Sequence, residues 1–237
     1  MMITGLSTAA FAADHAHWSY SGDAGPQHWG TLDAAFGACA TGKNQSPVNL
    51  TRMVRAQLPP LSASYQGGGK EVVNNGHTIQ VNYAPGSDVT IDGHRYELKQ
   101  FHFHSPSENT IEGRSFPMEA HFVHADKDGN LAVVAVMFER GEPNRELQKI
   151  WSQMPEKAGD KQALNHAVDV RGLLPRRGDY YRFNGSLTTP PCSEGVVWVV
   201  MKASEQASRE QIEQFRHVMH HANNRPTQPL NARVIMQ

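Results

Sequence analysis

From Thr78 to His104 apolar and polar residues alternate with period two, in "TIQVNYA" (78–84) and "DVTIDGHRYELKQFHFH" (88–104). Successive side chains of a β-strand point to opposite faces, so this rhythm specifies strands with one buried face and excludes helices there. "PGS" and "DG" interrupt the runs as turns do. "LAVVAVMF" (131–138) and "VVWVVM" (196–201) are unbroken and rich in Val, which suits strands covered on both faces at the centre of a sheet. Helical periodicity is confined to "NRELQKIWSQM" (144–154) and "SREQIEQFRHVMH" (208–220), the second with Ser208 as N-cap and Gln211 three residues on. The expected fold is mainly β (α+β): a large central twisted, mostly antiparallel β-sheet with a few short peripheral helices.

No Pro/Gly/Ser-rich linker or internal repeat divides the 237 residues, so residues 14–237 are expected to form a single domain. The 22 basic and 23 acidic residues supply no basic stripe for nucleic acid and no polybasic run for a membrane surface. No apolar run reaches the roughly 18 residues needed to cross a bilayer. Neither partner is expected. Residues 1–13 end in the small-x-small pattern "AFA" without a positively charged start, which fits the remnant of a signal peptide cleaved near Ala12 or Ala13, or a disordered tail. Export to the periplasm or outside the cell is the expectation. In an exported chain the even cysteine count favours a disulfide between Cys39 and Cys192.

The alternation also sorts the histidines. In "QFHFHSPSE" Gln100, His102 and His104 share one face of a strand and Phe101 and Phe103 the other. "MEAHFVHAD" repeats the arrangement, with Glu119, His121 and Val123 on one face and Ala120, Phe122 and His124 on the opposite one. Two histidines of one strand and one of a neighbour can converge on a metal at about 2.0–2.1 Å from each nitrogen. Three neutral imidazoles leave a dication's charge intact, so the bound water is acidic and hydroxide forms near neutral pH. An isolated H-x-H is more often a pair of surface histidines; here Gln100 and Glu119 each stand two residues before a candidate ligand, where acceptors for the second imidazole N–H belong. Glu108, four residues after His104, also allows a cupin-like iron site in which it is a ligand, although the cupin glycines and second motif are missing.

"QFHFH" and "EAHFVH", taken with "HWGTL", "NQSPVNL", "NNGHTIQV", "GNLAVVAVMF", "LTTPPCSEGVVW" and "NNRPTQPLNAR" in that order, make the chain resemble the α-class carbonic anhydrases from about His17 to its end. Ser105 after the histidines is similar to the bacterial branch. The resemblance implies Zn2+ held by His102, His104 and His121, with Gln100, Glu119 and the Asn223 carbonyl as acceptors behind them. It implies that Thr188 donates its proton to Glu108 and orients the nucleophile, its backbone N–H facing negative charge on the substrate oxygens. Val123, Val133, Leu187 and Trp198 would form an apolar wall for carbon dioxide; on sequence alone each is a core residue. Tyr20, Asn75, Gln80 and Thr189 would line the wet side, and His77 would shuttle the proton. Gln80 stands where the family commonly has Asn. The implied activity is reversible hydration of carbon dioxide to bicarbonate, with a side activity on esters, inhibition by sulfonamides and anions, and room for a homodimer. The other class of function considered, a silent binding module, is disfavoured because no ligand histidine is missing.

Overall fold

The computed structural model describes residues 16–237; the expected signal-peptide remnant, 1–13, lies outside the described residues. In chain order the elements are α1 (Trp29–Leu32), α2 (Ala38–Thr41), β1 (Asn49–Leu50), β2 (Ser62–Ser64), β3 (Gly69–Asn74), β4 (Ile79–Tyr83), β5 (Asp88–Ile91), β6 (His94–His104), β7 (Thr110–Ile111), β8 (Met118–Ala125) and β9 (Leu131–Arg140). They continue with α3 (Arg145–Trp151), β10 (Lys161–Val168), β11 (Tyr180–Ser186), β12 (Glu194–Met201), β13 (Glu205–Ala207) and α4 (Arg209–Met219). One large sheet runs β10-β3-β4-β6-β8-β9-β12-β11, with β2, β5 and β13 attached beside it. It is antiparallel except where β9 meets β12 and β13. The parallel pair β9 and β12 consists of the two unbroken apolar runs, and both faces of it are covered: Val134, Val136 and Val199 enter one core, Val133, Ala135 and Val200 the other.

Two turns shape the long β6. Asp92 and Gly93 both have positive φ, 52° and 79°, the backbone of a type I′ turn, so β5 folds back on β6 with Ile91 opposite His94. "PGS", by contrast, joins two strands that do not pair with each other. β4 and β5 lie end to end along the same edge of β6, whose eleven residues accommodate both.

From Gln100 to His104 the even-numbered face of β6 carries the histidines and the odd-numbered face the packing; the register shifts between Leu98 and Gln100, so before it the even-numbered Tyr96 and Leu98 enter the same core as Phe101 and Phe103. Phe101 and Phe103 are fully buried, and the Phe103 ring lies 4.9 Å from Trp151 and 6.2 Å from Phe215. These contacts bind α3 and α4 to the back of the sheet, where truncating one such ring typically costs ~3–5 kcal/mol. Asn144 caps α3 by accepting from the Glu146 and Leu147 amides, and Ser208 and Gln211 form a complete capping box on α4. The ligand face is thereby the front of a sheet stiffened from behind.

Candidate metal centre

Strand register brings the histidines together. In the β6–β8 ladder His102 faces His121 and His104 faces Glu119, and the three imidazole rings stand 4.5 to 5.4 Å apart. One nitrogen of each lies within 4.8 Å of the others. The remaining nitrogens are all engaged: His102 Nδ1 with Gln100 Oε1 at 2.8 Å, His104 Nδ1 with the Asn223 carbonyl at 2.7 Å, His121 Nε2 with Glu119 Oε1 at 2.9 Å. Each acceptor fixes the proton on the nitrogen facing it, leaving a lone pair on the other. Burial is the main cause that pushes all three imidazoles below their usual pKa. They are neutral, as ligation requires. Among the described residues His104 Nε2 is buried without a hydrogen-bond partner, an orphan that a cation would satisfy. The cluster fits a metal ion.

Glu119 is itself held from three sides. Its Oε2 accepts the Glu108 and Asn109 amides at 2.7 and 2.8 Å, and its Oε1 accepts Asn109 Nδ2 at 2.7 Å. Burial still raises its pKa to about 6. Glu108 Oε1 accepts the Arg225 amide at 2.8 Å, while Oε2 lies 3.5 Å from His104 Nε2 and 3.9 Å from His121 Nδ1. Burial raises Glu108 to about 8, against the opposing pull of the Arg225 amide, Thr188 and the Arg225 charge. The Thr188 side chain is thus near enough to act on this carboxylate as a hydrogen-bond donor, but Oε2 has no partner of full hydrogen-bond geometry.

Around this centre the structure gathers the other sequence candidates. Val133, Trp198, Val123 and Leu187 belong to one apolar cluster, with the Trp198 ring 5.0 Å from His121 and its Nε1 donating to the Ser186 carbonyl at 3.0 Å. Thr188 and Thr189 sit in the loop between β11 and β12, where the Thr189 carbonyl accepts the Cys192 amide at 2.9 Å. Cys39 and Cys192 form a disulfide across 153 residues of sequence, tying α2 to that loop.

The residues expected on the wet side make local contacts. Asn75 Oδ1 accepts the His77 and Thr78 amides at 2.9 and 2.8 Å, so this oxygen holds the turn that presents His77. Gln80 Nε2 donates to Asn82 Oδ1 at 2.7 Å. The His77 ring lies flat on Trp18, centroids 3.7 Å apart, with Tyr20 at 6.5 Å. Burial first, then His17 and His221, lowers its pKa to about 4. A cleft of about 540 Å³ lined by Trp18, Phe36, His77, Pro190 and Pro191 lies at this rim. A larger one, about 740 Å³ between Arg95, Lys99 and Asp126, includes none of the three metal-site histidines.

Sequence reasoning missed Asn109, Arg225 and Trp18, which act on Glu119, Glu108 and His77. Their signal was available only as adjacency: Asn109 follows Glu108, Arg225 lies two residues after Asn223, and Trp18 stands two residues before Tyr20.

A twisted open sheet with three braced, neutral imidazoles at its centre defines a metalloprotein of the three-histidine type. The sequence model of the eukaryotic-type carbonic anhydrases matches residues 24–237, and the chain belongs to that family, the α class of carbonic anhydrase enzymes. It is 52% identical over 237 residues to a carbonic anhydrase of Neisseria gonorrhoeae, covering 98% of this chain and 94% of that one. It is 50% identical over 228 residues to one of Pectobacterium carotovorum, covering 96% and 93%. Among solved structures, the α-carbonic anhydrase of Thermovibrio ammonificans in complex with sulfanilamide superposes with a TM-score of 0.92 at 54% identity, covering 94% of this chain and 99% of that one. The cupin alternative falls with the fold: the strands here form an open sheet of the carbonic anhydrase kind.

Proposed function

We propose that the chain reversibly hydrates carbon dioxide to bicarbonate and a proton, using zinc held by His102, His104 and His121. The observation that carries this reading is the convergence of three nitrogens within 4.8 Å, each ring braced by an acceptor behind it. Three nitrogen donors with room for one further ligand are the donor set of a catalytic zinc site. When bound, zinc lowers the pKa of a coordinated water to about 7, a value taken from the family's own type case.

The chain's residues supply orientation and proton management. Gln100, Glu119 and the Asn223 carbonyl hold the imidazole tautomers. Positive charge at the three nitrogens favours the carboxylate form of Glu108 over the protonated form that burial alone would impose. Glu108 Oε2 then accepts a hydrogen bond from the Thr188 hydroxyl, and Thr188 Oγ1, its one proton so engaged, can only accept from the attacking water, which turns that water's lone pair toward the substrate carbon. The Thr188 backbone N–H faces the substrate oxygens. Carbon dioxide, being apolar, rests against Val123, Val133, Leu187 and Trp198. His77 passes the released proton outward, along the side that holds Tyr20, Asn75, Gln80 and Thr189. A deprotonated sulfonamide would donate its remaining N–H to Thr188 and lay its ring on Val123 and Leu187, competing with anions; ester hydrolysis is the expected side activity. The disulfide between Cys39 and Cys192 and the export-like residues 1–13 support a periplasmic or secreted location.

Stopped-flow hydration of carbon dioxide, with and without a zinc chelator, tests the reading. Fast hydration that disappears on chelation and returns with zinc is expected; no hydration by the zinc-loaded chain rules it out.

A further inference from the structure

The centre depends on a piece of chain that has no regular structure. Residues 222–227 form neither helix nor strand, yet two of their backbone groups reach the site: the Asn223 carbonyl accepts His104 Nδ1–H, and the Arg225 amide donates to Glu108 Oε1. An irregular segment has no helix or sheet ladder to hold its backbone groups; here a backbone bond from the Asn223 amide to the Ser105 carbonyl at 3.4 Å is joined by side-chain anchors. Asn223 anchors the first contact, its Oδ1 accepting the Ser105 amide at 2.8 Å and its Nδ2 donating to the Phe103 carbonyl at 2.9 Å.

Arg225 anchors the second. Its guanidinium is buried, 2% exposed, and among the described residues it has no carboxylate ion-pair partner. Nη1 donates to the Ser46 carbonyl at 2.8 Å and to Gln45 Oε1 at 2.9 Å, and Nη2 donates to the Cys39 carbonyl at 3.0 Å. The planar fork stands over the Trp29 ring, 5.6 Å from its centroid. Gln45 in turn donates Nε2 to the Cys192 carbonyl at 3.0 Å. One cation therefore joins α2, the segment at 45–46 and, through Gln45, the loop that carries Thr188. Pro226 follows and has no N–H to offer, so the Arg225 amide has its own side chain as its nearest anchor.

We infer that Arg225 is a positioning residue for the reaction: its caged guanidinium fixes the backbone amide that occupies Glu108 Oε1, and so reserves Oε2 for Thr188. The inference rests on the proposed Glu108–Thr188 pairing. Its consequence is selective. A ligand that gives an N–H to Thr188 depends on the Thr188 hydroxyl donating its own hydrogen bond to Glu108, whereas an anion without a proton to donate does not.

The test uses the zinc-loaded full chain and two probes, benzenesulfonamide and thiocyanate, in wild type, Arg225→Met, Arg225→Lys, Gln45→Leu and Thr188→Ala. Arg225→Met is expected to weaken the sulfonamide by about tenfold, the lower end of outer-shell effects, and to leave thiocyanate within about twofold. Arg225→Lys should recover only part of the loss, since an ammonium cannot reproduce the fork. Gln45→Leu removes one arm of the cage and should shift the same ratio in the same direction; it decides the matter if Arg225→Met fails to fold. An unchanged ratio, with both affinities falling together or neither moving, overturns the inference. Thr188→Ala separates the two levels: if it leaves sulfonamide affinity intact, the Glu108–Thr188 reading itself fails. If it weakens the sulfonamide while the Arg225 and Gln45 variants keep the wild-type ratio, only the role of Arg225 fails.

Discussion

The His77 imidazole is the residue whose environment least resembles its proposed task. A shuttle works best with a pKa near that of the group it serves, yet stacking on Trp18 and burial hold His77 at about 4. Desolvation is the first cause, so removing the covering ring must raise the value toward 6.5. In Trp18→Ala, NMR titration of the His77 ring should show that rise; an unmoved value would mean that His17 and His221, not burial, set it. Glu119→Gln addresses the opposite side of the centre. An amide at this position turns an NH2 toward two backbone N–H groups or toward His121 Nε2, so an acceptor is lost whichever way it flips. Zinc affinity should fall ~10–100-fold, and competitive zinc titration at wild-type strength would show that Glu119 does not brace His121. The alternation in "QFHFH" and "EAHFVH" made the ligand faces legible, because period two is a property of neighbours in sequence. Asn109 and Arg225 stayed hidden because each meets its carboxylate through a backbone amide, Asn109 through its side chain as well, and an amide is present at nearly every position.

At the scale of elements, α4 shows what a local signal is worth. Ser208 Oγ accepts the Gln211 amide at 3.2 Å, and Gln211 Oε1 accepts the Ser208 amide at 3.1 Å. Ser208→Ala should cost about 1 kcal/mol in urea unfolding, with activity preserved; a loss within error would mean that packing of Ile212 and Phe215 alone holds the helix start. The box could be read because its partners are three residues apart. The hairpin at Asp92-Gly93 was legible for the same reason. β10 was not: its residues 161–163 and 165–167 are exposed, so no buried face imposes a pattern, and pairing with β3 is what makes it a strand. The "PGS" break was visible, but its geometry was not, since β4 and β5 share β6 as partner and their relation is set by a strand neither adjoins in that turn.

Across the whole molecule, the sheet has a buried polar pair on its packed side. His124 is fully buried; its Nδ1 donates to the Phe122 carbonyl at 2.8 Å and its Nε2 accepts the Tyr65 hydroxyl at 2.9 Å. Burial lowers its pKa from 6.5 to about 4. Between those values the unfolded chain holds a proton that the folded chain refuses, so this contribution to stability is present above about pH 6.5. It is lost as pH falls toward 4 and stays level below. The window amounts to roughly 3 kcal/mol. His124→Gln keeps both hydrogen bonds in one amide orientation without titrating, so its stability should decline less than that of wild type over the same window; parallel declines would assign the acid sensitivity to other groups. The whole-chain claim, however, is that a stiff sheet brings three imidazoles to one zinc ion. The most direct test is competitive zinc titration of His104→Ala beside wild type, with circular dichroism on both. The account predicts affinity lower by orders of magnitude in the variant with its β-sheet signal retained, and full zinc occupancy in His104→Ala at wild-type affinity would contradict it.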